Sequence, residues 1–137
     1  MAAMPGLGRL ARYLWASPNT LLGLAAVPLA LLGGRVQVVA GVVELHGPVI
    51  AWLLGRCVPL AGGACALTLG HVVLGRDRRS LERSRRHERV HVRQYECWGP
   101  LFLPAYFLSS LLAWRRGADP YRDNRFEREA YRGERRR

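Results

Sequence analysis

Residues Ser80–Pro100 read SLERSRRHERVHVRQYECWGP, and this stretch decides the fold. His87, His91, Gln94, Tyr95 and Trp98 recur at i, i+4, i+7, i+8 and i+11, so a helix sets them on one face. Arg83, Arg86, Arg89, Arg93 and Glu96 populate the other faces. Ser80 can cap the first turn, and Gly99-Pro100 predicts the end, with glycine just past the helix and proline stopping its continuation.

Beyond this helix, Leu101–Trp114 is apolar but shorter than the roughly 17–25 residues that a membrane span needs. Arginines flank it on both sides, which predicts a buried or half-embedded helix that stays on one side of a membrane. A short last helix is predicted to start near Asp123-Asn124, either of which can cap, and to carry Phe126–Arg132. Upstream, Ala66–Leu74 (ALTLGHVVL) has the β-branched density of a buried strand. Arg35–His46 (RVQVVAGVVELH) alternates around Ala40-Gly41 and predicts a β-hairpin.

Nearer the N-terminus, Arg9 and Arg12 precede Leu21–Leu32 (LLGLAAVPLALL), a run without charge. That is the pattern of a signal peptide. No small-x-small cleavage site follows, however, and extension back through Asn19 brings the segment to about the length of a span. An uncleaved membrane-anchor helix within residues 1–35 is therefore expected, followed by one small domain over 36–137. Two readings fit Val49–Leu69: a second span, or a short helix, a turn and a strand. Arg56 near its middle weighs against the span. The positive-inside rule weighs for it, since it lets both Arg9 and Arg12 and the arginines after Gly75 face the cytoplasm. The fold class expected is α+β.

The chain has 137 residues, enough for a single core, and a formal net charge of +11 carried without any Lys. Codon bias in a GC-rich genome accounts equally well for the missing Lys. The charge favours anionic partners, phospholipid headgroups or nucleic acid. No recognition helix, zinc-finger spacing or RNP-like motif accompanies the arginines, so nucleic acid is disfavoured and anionic lipid is the expected partner. Cys57, Cys65 and Cys97 form neither an even framework nor a CxxC pair; they are expected as small buried hydrophobes.

His87-Glu88-Arg89-Val90-His91 is an H-E-x-x-H motif. Histidines one turn apart can take two corners of a tetrahedral Zn²⁺ site. Zinc lowers the pKa of a bound water towards about 7, and Glu88, beside the first ligand, can accept its proton as general base. Three protein ligands are the norm for a catalytic zinc. His46, His71 and several carboxylates are available as the third.

HERVH followed by NRFEREAY resembles the gluzincin branch of the zincin metallopeptidases, over Ala66–Tyr131 at most and closely only at the two motifs. In that group a Glu on a later helix, often within E-x-x-A-D, completes the site. The resemblance therefore implies Glu127 as third ligand, and Tyr131 stands where the family often has Asp. Glu127, Ala130 and Tyr131 share one helix face, small Ala130 permits close packing on the zinc helix, and Glu129 points elsewhere. The resemblance also implies that an edge strand, Thr68–Leu74, pairs with an extended peptide substrate. His71 on that strand and Tyr131 are candidate substrate or transition-state contacts, and Tyr95 and Tyr106 are candidate oxyanion donors.

The function expected is a membrane-associated zinc metallohydrolase, a peptidase in class, acting on a peptide or protein substrate from the cytoplasmic face. Two alternatives stand beside it. One is a non-catalytic membrane protein with a structural or degenerate zinc site, and the other is an arginine-rich adaptor for anionic lipid or RNA.

Overall fold

The valine-rich hairpin forms where the alternation predicts it, with β1 (Arg35–Val39) antiparallel to β2 (Val42–His46). Ala40 and Gly41 both have positive φ, 48° and 79°, the two-residue turn whose twist matches the flanking strands. The computed structural model describes residues 7–58, 60 and 62–136. It is a mixed α+β fold. Helices α1 (Leu7–Leu24), the single turn α2 (Val27–Ala30) and α3 (Pro48–Arg56) surround the hairpin in sequence. β3 (Ala66–Leu69), β4 (Val72–Gly75), α4 (Arg78–Trp98), a 3₁₀ turn (Gly99–Leu101), α5 (Phe102–Arg115) and α6 (Arg125–Arg135) complete it.

The sheet order is β1-β2-β4-β3, with β2 and β4 parallel and β3 and β4 antiparallel. α3, the loop after it and the edge strand β3 make the connection between the parallel pair. Side chains alternate between two faces. Leu45, Val72 and Leu74 pack with Ala30, Ile50 and Leu54 on one face, whereas Val42 and Val73 meet Leu81 and Val92 of α4 on the other. All four residues of β4 are buried, because that strand is covered on both faces and paired on both edges.

The α4 face of the sheet also carries a buried carboxylate. Glu44 on β2 is 1% exposed and accepts two hydrogen bonds from Arg85, each of 2.9 Å, and one of 2.9 Å from Gln37. Arg89 lies 3.5 Å from it and donates to the Val39 carbonyl at 2.6 Å. Two of the arginines are thus fasteners between the hairpin and α4.

Several expectations are corrected. The apolar run Leu21–Leu32 is not one anchor helix: α1 ends at Leu24 and a separate turn begins at Val27, ahead of Pro28. Residues 1–6 of the expected N-terminal region lie outside the described residues. α1 is fastened to the fold by Ala16, Asn19 and Gly23, at i, i+3 and i+7, all buried. Asn19 Nδ2 donates to the Gly99 carbonyl (3.0 Å), and Trp15 lies so close to Gly99 (φ 56°) that a Cβ there would meet its ring at 2.4 Å. Val49–Leu69 is no second span but a short helix, a turn and a strand. Ala66–Leu74 is not one strand either; it turns at Gly70-His71 into a hairpin, and only β3 lies at the sheet edge. α4 starts one turn early because Asp77, not Ser80, is its cap, and its carboxylate accepts from the Ser80 N–H at 2.7 Å. All three cysteines are exposed rather than buried, lying at a helix end, in a loop and on the outer face of α4.

Among the described residues, the helical run Arg78–Arg115 is the one segment long and apolar enough to cross a membrane, and only 17% of its most apolar stretch is buried. The charges of α4 confine that stretch to the region of α5, whose 14 residues span about 21 Å. α5 is inside out. Ser109 Oγ accepts from the Arg125 N–H (2.9 Å) and Ser110 Oγ from Asn124 (2.7 Å), so its hydroxyls face the protein. Phe107, Leu108, Leu111, Leu112 and Trp114 are 47–64% exposed, as are Leu10, Leu14, Leu21 and Leu22 of α1 to a similar degree.

The Arg85 and Arg89 guanidiniums give one prediction. Burial works to raise the Glu44 pKa, but the hydrogen bonds from Arg85 and Gln37 and the charges of Arg85 and Arg89 outweigh it and hold it below the usual value of 4.5. A depressed carboxylate stabilises the fold fully above its unfolded pKa and loses that contribution as pH falls through the folded value. Glu44→Gln should lower stability by roughly 1.5–3 kcal/mol at pH 7. The gap to wild type should shrink below pH 4.5. Thermal melts of both proteins across pH 7 to 3.5 check this, and a gap that does not change with pH contradicts it.

Candidate metal centre

α4 and α6 meet closely enough to merge their facing side chains. Ala130 is fully buried between them, and a Cβ on Gly133 would stand 2.6 Å from the Val90 side chain. Asn124 starts α6 by accepting from the Phe126 N–H (2.9 Å), and its amide donates to Tyr106 and Ser110 of α5. The cap thus fixes where the helix begins, and the small residues fix how near it lies. Glu127, in the first turn, is thereby delivered to the histidine face of α4.

Three ligand-type atoms form a triangle there. His87 Nε2 lies 3.0 Å from Glu127 Oε2, His91 Nε2 lies 3.4 Å from the same oxygen, and the two nitrogens are 3.2 Å apart. The edge of a tetrahedron with metal–ligand bonds of about 2.0–2.1 Å is roughly 3.3–3.4 Å. The triangle therefore has the dimensions of three corners of such a site. All three residues are buried, and together they could hold a metal ion.

Two of the three ligand residues, His91 and Glu127, are set by a partner behind them. Gln94 Nε2 donates to the Phe126 carbonyl (3.1 Å), which leaves Gln94 Oε1 facing His91 Nδ1 at 2.8 Å. The Nδ1 atom must then be the donor, so in the neutral ring the lone pair is on Nε2 and points into the triangle. Tyr106 donates to Glu127 Oε1 at 2.6 Å, leaving Oε2 for the triangle. The electrostatics are those of a place that wants a cation. Burial alone would lower the His91 pKa, but the Glu127 hydrogen bond and the charges of Glu88 and Glu127 push it up to about 9. Burial would likewise raise Glu127, yet the hydrogen bonds from His87 and His91, the charge of His91 and the Tyr106 hydroxyl hold it at about 2.

Glu88 is buried next to this triangle in sequence, and Thr68 Oγ1 donates to its Oε2 at 2.6 Å. No hydrogen bond engages its Oε1 among the described residues. Tyr131 packs its ring on His87, with centroids 4.5 Å apart, and its hydroxyl lies 3.3 Å from that of Tyr121. Of the sequence-predicted residues, the fold thus gathers His87, His91, Glu127, Glu88 and Tyr131. His71 is placed elsewhere: it sits in the β3–β4 turn, stacked on Tyr13 at 3.8 Å and 2.9 Å from Glu96 Oε1, and touches no member of the triangle. His46 ends β2 opposite Arg35. Both candidate oxyanion donors are engaged, Tyr106 with Glu127 and Tyr95 with the Thr68 carbonyl (2.9 Å). That last bond occupies a backbone acceptor of the edge strand.

Gln94, Thr68 and Tyr106 have supporting roles that the sequence does not announce. Only Gln94 carries a signal, its i+3 spacing from His91. Compared with known proteins, the chain matches no family model, no curated protein and no solved structure. The chemistry of the site rests on its own geometry.

The close approach of α6 is testable by itself. Ala130→Leu should destabilise the protein by about 1–3 kcal/mol through overpacking. Glu129→Leu, on the exposed side of the same helix, should change stability by no more than about 0.5 kcal/mol. Thermal melts of the two variants against wild type decide it, and equal effects would contradict the described contact.

Proposed function

We propose that this protein is a zinc metallohydrolase of gluzincin-like design, a peptidase in class, that works at a membrane surface. The observation that carries the reading is the buried triangle of His87, His91 and Glu127, with Glu88 adjoining the first of them. Two imidazoles and one carboxylate are a donor set suited to a catalytic zinc, which keeps its fourth position for water or substrate. Zinc held there supplies a Lewis acid that polarises water and a scissile carbonyl.

The remaining work belongs to the chain's own groups. His91 is held in its ligating tautomer by Gln94, and Glu127 is held in place by Tyr106. Glu88 takes the proton from the attacking water at Oε1, while Thr68 holds its other oxygen. The same carboxyl then returns that proton to the leaving amine. Tyr131 walls the site on the His87 side.

The exposed apolar faces of α1 and α5 support the membrane setting, since an inside-out helix is unfavourable in water and favourable in hydrocarbon. α5 is too short to cross and is held to α6 by its own serines, so the reading is of a protein embedded from one side. The arginines suit the anionic cytoplasmic leaflet. The substrate is a peptide or protein presented at that surface.

Two experiments test these parts separately. Glu88→Gln should keep stoichiometric zinc and lose hydrolysis of a fluorogenic peptide library by about 10²–10⁴-fold; full activity in the purified variant contradicts the role of Glu88. Leu108→Glu with Leu112→Glu, one turn apart on the outward face of α5, should move the protein from the membrane to the soluble fraction. A doubly substituted chain that still sediments with membranes contradicts the embedding of α5.

A further inference from the structure

His87 presents Nε2 to the triangle, and its other nitrogen, Nδ1, is buried without a hydrogen-bond partner. A neutral imidazole that ligates a metal through Nε2 carries its proton on Nδ1. That donor then needs an acceptor, because a buried N–H left unpaired carries the full cost of its desolvation. Gln94 provides one for His91, whereas the Tyr131 ring packs tilted on His87 and its hydroxyl lies against that of Tyr121.

One carboxylate is in reach. Glu134 Oε2 lies 3.6 Å from His87 Nδ1. It stands two turns after Glu127, so Glu127, Tyr131 and Glu134 fall on one face of α6 at i, i+4 and i+7. Its side chain is 39% exposed and lines an open cleft of about 510 Å³ with Glu82, Arg83, Arg86, Tyr131 and Arg135. A flexible side chain with that freedom closes the remaining gap to hydrogen-bond distance by moving about 0.7 Å. We propose that Glu134 is a positioning residue, which accepts the His87 Nδ1–H when the triangle holds zinc and thereby fixes the ring and raises its basicity. The inference rests on the zinc reading. It adds a carboxylate at a position that the motif resemblance does not mark.

The test measures zinc affinity of the full chain by competition with a chromophoric chelator. Glu134→Ala should weaken binding by about 10–100-fold, the usual effect of losing such a partner. Glu134→Gln, which keeps an acceptor oxygen, should recover part of that loss. Glu82→Ala removes the same charge from the same cleft without approaching His87 and should bind as wild type does. In the zinc-loaded protein the His87 Nδ1–H proton resonance should be sharp and far downfield, and Glu134→Ala should broaden or shift it. Circular dichroism confirms that each variant is folded. Wild-type affinity in Glu134→Ala, or an equal loss in Glu82→Ala, overturns the role of Glu134. Failure of the wild-type chain to bind zinc overturns the zinc reading itself, a different result.

Discussion

Glu127, His87 and His91 bring a carboxylate and two imidazoles together in a nearly dry interior, and such a group is stable only when a cation completes it. A proton can serve, which is why His91 holds one up to about pH 9 while Glu127 stays ionised. In the proposed function a divalent metal takes that place and satisfies three lone pairs at once, where a proton bridges two. Much of the surrounding structure maintains this juxtaposition. Asn124 sets the start of α6, Ala130 and Gly133 set its distance from α4, and Gln94 and Tyr106 aim the ligand atoms. Glu44 with Arg85 and Arg89 ties α4 to the sheet. Thr68, on the edge strand, carries the sheet's position through to Glu88.

The site and the apolar surface are built by the same elements. α5 holds Glu127 through Tyr106, holds the α6 cap through the Tyr106 carbonyl and Ser110, and turns its leucines outward. The inward residues of α5 thus serve the His87–His91–Glu127 triangle, while its outward leucines serve none of these contacts. α1 repeats the pattern: a narrow stripe of Ala16, Asn19 and Gly23 is buried, and most of its leucines face out. In the proposed setting, lipid replaces the missing apolar partner of both helices, and the chemistry lies directly beneath it.

What the sequence makes legible is local. The helix face shared by His87 and His91, the Gly99-Pro100 stop, the Ala40-Gly41 turn and a helix start at Asp123-Asn124 each depend on residues within one or two turns, and each is found as read. Glu127 came from the later motif, and the small Ala130 beside it gave a packing reason for its approach. The misreadings have a common cause, which is that apolar composition hides breaks. Ala66–Leu74 is hydrophobic on both sides of Gly70-His71 and so reads as one strand, and Leu21–Leu32 conceals the end of α1. Asp77 and Ser80 both have the chemistry of a cap, and only the fold selects between them. The supporting residues Thr68 and Tyr106 meet their partners across 20 or more positions. No periodicity encodes such pairs.

The proposed hydrolysis rests on zinc held jointly by His87, His91 and Glu127. Zinc K-edge absorption spectroscopy on the purified full chain tests it most directly. One zinc per chain is expected, with nitrogen and oxygen neighbours at about 2.0–2.1 Å and the outer-shell scattering of two imidazoles. Absence of stoichiometric zinc, or a sulfur neighbour at about 2.3 Å from one of the exposed cysteines, would contradict it.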